Sequence, residues 1–149
     1  MTKEFFAGGK KITLYGSENG NAPVVYLNTV MSEGKNIFDA CTSLGSPPFV
    51  LAAISNLDWD ADMSPWAIPP ISKNDTPCSG GADAFLQLLT DQIIPEVNGL
   101  IDGKAAYNAI AGYSLRGFSR STLSIKRAHL PKWRARRDRC GFPIFANLR

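Results

Sequence analysis

The sequence predicts an α/β protein in which a mostly parallel sheet with flanking helices occupies residues 1–115 and a basic, irregular or helical tail occupies residues 116–149. Strand-like apolar runs alternate with helix-like segments in the first part, which is typical of parallel strands joined by helical crossovers. Residues 1–115 hold 6 Lys, no Arg and 12 acidic residues, whereas residues 116–149 hold 8 Arg, 2 Lys and one acid. At 149 residues, with 44% of them hydrophobic, the chain is long enough for one domain and too short for two.

The individual elements follow from hydrophobic spacing and from turn residues. Short apolar runs bounded by Gly, Pro and Asn predict strands over residues 12–15, 23–28, 49–54 and 107–112. Apolar residues spaced three and four apart predict helices over residues 36–44 and 82–97, and we expect Pro95 to kink or nearly end the second. Residues 58–81, with four prolines and two tryptophans, predict a long loop of the kind that often has a function.

A candidate nucleophile follows the last predicted strand. Gly112, Tyr113, Ser114 and Leu115 contain most of the G-x-S-x-G pattern, in which a sharp strand-to-helix turn projects a serine hydroxyl above the sheet. Small residues are needed there because the two backbones approach closely. The alternative interpretation is a serine with a structural role in a turn.

Around this motif the chain resembles the esterase D-like and siderophore-esterase group of the α/β-hydrolases. The resemblance spans about residues 14–115, and it rests on residues 24–29, 60–66, 85–97 and 111–115. It implies a partial α/β-hydrolase fold and a serine esterase that acts on a small-molecule ester without a cofactor.

The resemblance also implies a role for individual residues. Ser114 would be the nucleophile, and the amide of Leu115 would donate to the oxyanion. The loop at Asn28 and Thr29 would supply the second oxyanion amide. The substrate cleft would be bordered by the loop at residues 58–66, which includes Asp62 and Trp66.

The chain departs from the family pattern immediately after the serine. Arg116 stands where the turn requires a small residue, and a hydrolase of this family needs an acid and then a histidine after the serine. The residues after Ser114 contain one histidine, His129, and one acid, Asp138, in the reverse order. We therefore expect this chain to be truncated after its nucleophile and inactive as written.

A shifted reading frame would explain both the departure and the arginines. Restoring one base after the codon for Leu115 can give a small residue at position 116, followed by an amphipathic helix instead of an Arg-rich tail. Synonymous codons leave some freedom in this reconstruction. The hypothesis predicts that the gene, read in the restored frame, continues with the remaining strands of the domain.

A second function class is a small basic-tailed nucleic-acid-binding protein, in which arginines around Trp133 contact phosphates and the indole stacks on bases. The arginines concerned are Arg134, Arg136, Arg137 and Arg139. A solvated tail explains the same charges without a ligand. We accordingly expect no nucleic-acid partner.

The remaining features predict a cytoplasmic protein without a membrane segment or a metal. The amino terminus lacks the apolar core of a signal peptide, and no apolar run is long enough to cross a bilayer. Three scattered cysteines predict free thiols. Asp58, Asp60 and Asp62 alternate like cation ligands but lack the rest of an EF-hand, so we interpret them as loop acids. The sequence does not decide the oligomeric state.

Overall fold

The computed structural model describes residues 1–17, 21–70, 73, 76–102 and 104–112, and the backbone of residues 133–137 and 143–147. The strands are β1 (Thr2–Ala7), β2 (Lys10–Gly16), β3 (Val24–Asn28), β4 (Val50–Ser55), β5 (Ala67–Ile68), β6 (Cys78–Ser79), β7 (Asn108–Ala111), β8 (Trp133–Arg137) and β9 (Pro143–Asn147). The helices are α1 (Gly34–Ser43), α2 (Trp59–Asp62), α3 (Ala82–Leu88) and α4 (Ile94–Leu100), and a π-helical turn (Leu89–Ile93) joins the last two.

Seven strands form one mixed sheet in the order β1-β2-β4-β3-β7-β9-β8, while β5 and β6 form a separate pair. The prediction of a mostly parallel sheet holds for the centre, where β3 pairs in parallel with both β4 and β7. It is wrong for the flanks, because β1, β2 and β4 are successively antiparallel, as are β7, β9 and β8. The link between β1 and β2 consists of Gly8 and Gly9, both with positive φ, and a two-residue link can join only antiparallel neighbours.

The main core lies on one face of the sheet, beneath the helix formed by α3, the π turn and α4. Helix residues Phe85, Leu89, Ile93 and Val97 are buried against the alternate strand residues that point to this face. Those strand residues include Ile12, Leu14, Val24, Tyr26, Val50, Ala52, Ile54 and Ile110. The predicted helix over residues 82–97 is therefore confirmed as the element that covers the parallel strands.

Pro95 does not end this helix, which continues to Leu100. Proline lacks the N–H that a regular helix would donate four residues back, and its ring crowds that carbonyl. The π turn from Leu89 to Ile93 comes immediately before Ile94 and Pro95 and widens the helix at this point. A local change of helix type thus accommodates the proline within the helix.

The opposite face carries α1, which begins at Gly34. A Cβ at Gly34 would overlap the Cβ of Ala53 and lie 3.3 Å from Cε2 of Tyr15, so glycine lets the start of α1 approach the sheet closely. The aromatic ring of Phe38 lies 6.0 Å from that of Tyr15 and 5.3 Å from that of Phe49, measured between ring centroids. These contacts hold the start of α1, and with it the end of the loop from β3, against the sheet.

The tail is described only as the backbones of β8 and β9. Both stretches are extended and pair antiparallel, whereas the sequence predicts an irregular or helical tail. The rest of the tail lies outside the described residues, and the proposed boundary at residue 115 does too.

Candidate active site at the carboxyl edge of the sheet

The carboxyl ends of the three parallel strands meet at one edge of the sheet. Asn28 at the end of β3 is in register with Ile54 of β4, and Leu27 is in register with Ala111, the last residue of β7. Gly112 therefore leaves the sheet beside Asn28. The chain passes from β3 to β4 on one side and later reaches β7 on the other side, which makes the space between β3 and β7 a topological switch point. Ligands of open α/β sheets bind at such points.

The predicted cleft loop does reach this edge. Asn28 is 6% exposed, and its Nδ2 atom donates a hydrogen bond of 3.3 Å to the sulfur of Met63, at the end of α2. Asn28 therefore connects β3 with the loop at residues 58–66 across 35 positions of sequence. The structure brings these two predicted site elements together.

Thr29 links the end of β3 to β4 through two hydrogen bonds. Its backbone N–H and its hydroxyl both donate to the carbonyl oxygen of Ile54, over 2.8 and 2.9 Å, and the residue is 1% exposed. The Thr29 amide, which the resemblance implies as part of an oxyanion donor loop, is therefore occupied by a main-chain hydrogen bond.

The next two amides of this loop bind a carboxylate. The N–H of Val30 donates to Oε1 of Glu33 over 3.1 Å, and the N–H of Met31 donates to Oε2 over 2.7 Å. Ser32 has a φ of 59°, so the chain turns through a left-handed residue just before Glu33. The side chains of Val30 and Met31 are exposed, Met31 by 85%. Sequence reasoning missed this arrangement, since a glutamate shortly before a helix carries no distinctive signal.

The carboxylate of Asp62 connects the predicted cleft loop, residues 58–66, to the sheet. Its Oδ2 atom accepts from Nζ of Lys10, at the start of β2, and from the backbone N–H of Asp58 over 2.8 Å. Asp58 in turn caps α2 by accepting from the N–H of Ala61 over 3.1 Å. Trp66, the other residue predicted for this border, is 63% exposed. An exposed indole is suited to contact a ligand, whereas Asp62 has a structural partner.

The buried hydroxyl of Ser64 connects the two ends of the predicted long loop, residues 58–81. Ser64 is 3% exposed, its hydroxyl donates to the carbonyl of Asp60 over 2.7 Å, and it accepts from the N–H of Gly80 over 2.8 Å. Gly80 has a φ of 83°, and a Cβ there would lie 2.8 Å from the backbone of Trp66. The segment is therefore tied at both ends and also contains α2, β5 and β6.

Residues Ser114 and Leu115, on which the nucleophile and the first oxyanion amide depend, lie outside the described residues, as do His129 and Asp138. Gly112 is exposed, and an added Cβ would have no described neighbour within 4 Å. The nucleophile assignment thus stays a prediction.

Within the described parts of the chain, no group of three or more His, Cys, Asp or Glu is arranged to hold a metal ion. Asp60 instead accepts from the hydroxyl of Thr76. The two cysteines that are described, Cys41 and Cys78, are free thiols, and Cys140 lies outside the described residues. No helix among the described residues has the length and apolar character needed to span a membrane.

The fold and this edge define an α/β protein with a topological switch point at the carboxyl end of its parallel strands. Among solved structures, the chain is similar to the siderophore hydrolase EstA from Aspergillus nidulans, with a TM-score of 0.53 and 19% identity, covering 76% of this chain and 48% of that chain. It is also similar to the BES protein from Bacillus cereus, with a TM-score of 0.50 and 14% identity, covering 71% of this chain and 49% of that chain.

These similarities establish the fold alone, because the identities are low. The chain spans about half the length of each of the two solved proteins. No protein family and no curated protein sequence matches it.

Proposed function

We propose that this chain is the amino-terminal half of a carboxylic-ester hydrolase with an α/β-hydrolase fold, and that Ser114 is its nucleophile. The observation that carries the proposal is the position of β7, whose carboxyl end lies beside that of β3 at the switch point. Ser114 follows Gly112 by two residues, as the nucleophile follows the glycine in G-x-S-x-G. The similarity to a siderophore hydrolase supports the hydrolase part of the proposal at the level of the fold.

In the proposed reaction, a histidine of the restored frame takes the proton of the Ser114 hydroxyl while its oxygen attacks the carbonyl carbon of a small-molecule ester, and the negative oxygen that forms is bound by backbone N–H groups. The alcohol leaves with that proton, and water then hydrolyses the acyl-enzyme to release the acid and restore Ser114. Leu115 supplies one of these N–H groups. The loop that begins at Asn28 and Thr29 supplies the other, and because the Thr29 amide donates to Ile54, the candidates are the amides of Val30 and Met31. The loop at residues 58–66 borders the cleft and presents Trp66 to the substrate. The reaction needs no cofactor.

We further propose that the chain as given hydrolyses esters only at background rates. Without a base, the serine is an ordinary alcohol, and removing triad members lowers activity by several orders of magnitude. A histidine and an acid in the family order would follow when the gene is read in the restored frame.

The experiment is to sequence the gene and to express both this chain and the frame-restored product. Turnover of p-nitrophenyl acetate and butyrate is then measured for each. We expect activity only in the restored product, and we expect Ser114→Ala to abolish it. Ser46→Ala is the matched control, because Ser46 is an exposed serine before β4, at the opposite end of the sheet.

Two results would contradict the proposal. Restored protein whose activity survives Ser114→Ala would exclude Ser114 as the nucleophile. A gene that cannot encode the restored frame would exclude the explanation of the tail.

A further inference from the structure

We propose that Glu33 is an intramolecular gate, whose carboxylate occupies the amide groups of Val30 and Met31 and keeps other anionic oxygens away from them. This inference rests on the proposed function, because it concerns the loop that would supply an oxyanion amide. It goes beyond that function by assigning a closed and an open state to the loop.

Both oxygens of the Glu33 carboxylate take part in the contact. Each carboxylate oxygen of Glu33 accepts from one amide, Oε1 from Val30 over 3.1 Å and Oε2 from Met31 over 2.7 Å. Hydrogen bonds from N–H groups to a charged carboxylate are stronger than neutral ones. The left-handed Ser32 directs the chain back so that Glu33 can reach these amides. Gly34, packed against Ala53, then fixes the backbone immediately after Glu33.

The first residue of the loop offers no alternative amide in this conformation. Thr29 already donates its amide and its hydroxyl to Ile54. An oxyanion at the amides of Val30 or Met31 would meet the negative charge of Glu33 at close range, which is unfavourable. A substrate oxygen can therefore use these amides only after the carboxylate leaves.

The surroundings permit such a movement. Glu33 is half-buried, and Val30 and Met31 are exposed, so the carboxylate can turn outward into water. The neighbouring cation on α1, Lys35, is paired with Asp39 over 2.7 Å. The two described hydrogen bonds to the Glu33 carboxylate come from the amides that it blocks.

The test uses this chain and follows the Val30 and Met31 amides by NMR, with acetate as the probe. Glu33→Ala is compared with Asp39→Ala, which removes an exposed carboxylate from the helix that follows Glu33. We expect Glu33→Ala to accelerate hydrogen exchange of both amides by about tenfold or more, as loss of a charge-assisted hydrogen bond implies. We also expect acetate to shift the two resonances saturably in Glu33→Ala and to leave them unchanged in the parent chain and in Asp39→Ala.

Unchanged exchange in Glu33→Ala would overturn the proposal, as would acetate shifts of equal size in the parent chain or no acetate shifts in Glu33→Ala. If Glu33→Ala fails to fold, Glu33→Gln is used, since it keeps the size and one acceptor oxygen; we expect one of the two amides to lose protection, and protection of both would overturn the gate. None of these readouts requires a nucleophile. A frame-restored protein without esterase activity would therefore count against the proposed function only.

Discussion

The buried hydroxyl of Tyr26 predicts that the fold loses stability in alkali. Tyr26 lies in the middle of β3, is 1% exposed, and donates its hydroxyl to Oδ1 of Asn108 over 3.3 Å. Burial raises the pKa of Tyr26 well above its ordinary value of 10.0. The folded chain therefore keeps a proton that the unfolded chain releases above pH 10. The stabilisation from this proton is complete below pH 10 and is lost progressively as the pH rises above it.

The size of the effect follows from proton linkage. One pH unit above the ordinary tyrosine pKa, ionisation of the unfolded state lowers the free energy of unfolding by about 1.4 kcal/mol. Tyr26→Phe removes this contribution and also the hydrogen bond to Asn108, which is worth about 0.5–1.5 kcal/mol. The variant should thus be less stable than the parent at neutral pH and should lose less stability in alkali.

The assay is urea unfolding of the parent chain and of Tyr26→Phe, followed by circular dichroism at about pH 8 and about pH 11. We expect the difference in unfolding free energy between the two proteins to move by about 1.4 kcal/mol in favour of the variant over this range. Other titrating groups are common to both proteins and cancel. A difference that stays constant with pH would refute the reasoning that Tyr26 is held neutral by burial.

Three further predictions concern packing and loop closure, and each is measured by urea unfolding. Ile93→Ala, at a position with no exposed surface, should lower the free energy of unfolding by about 2–5 kcal/mol, whereas Gln92→Ala, at the exposed position just before it, should have little effect. Gly34→Val should lower it by about 1–3 kcal/mol or more, because the new side chain overlaps Ala53; an unchanged stability would show that α1 can move away freely. Ser64→Ala should cost about 1–3 kcal/mol by leaving the Gly80 amide without its partner, and faster proteolysis within residues 58–81 should accompany the loss.

The central strands could be predicted because strands that are buried on both faces consist mainly of apolar residues. The runs at β3 and β4 are apolar at consecutive positions, as expected for strands covered on both faces, and the structure confirms them to within about two residues. The strand at β7 and the helix α1 are confirmed in the same way. Apolar content alone does not state the direction of pairing, so the antiparallel placement of β2 beside β4 could not be predicted.

Strand β1 was missed although a signal for it exists. Its exposure alternates along Thr2–Ala7, but the adjacent Phe5 and Phe6 obscure that alternation in the sequence. Gly8 and Gly9 form the tight turn that would have identified a hairpin. Attention to this glycine pair predicts both the strand and its antiparallel direction.

Only the part of the candidate site that lies at the ends of strands could be predicted from the sequence. The location of Asn28 and Gly112 follows from their positions at strand ends, once the strands are known. The contact between Asn28 and Met63 and the binding of Glu33 by two amides depend on loop conformations, which single residues do not encode. Asp62 could be placed in the loop from sequence, but its partner Lys10 is 52 positions away.

The outer edge of β7 shows how the tail strands complete the sheet. β7 is matched with β3 from Asn108 to Ala111, whereas on its other edge the described residues provide one registered pair, Ile110 with Phe145 of β9. Beyond β9, the last strand is β8, with three arginines in five residues. A short, charged edge strand resists further strand addition, whereas an uncovered β7 would present apolar residues and free backbone groups to other chains. On the reading-frame proposal, the restored sequence would place a parallel strand at this same edge, which is where the described sheet has its fewest registered residue pairs.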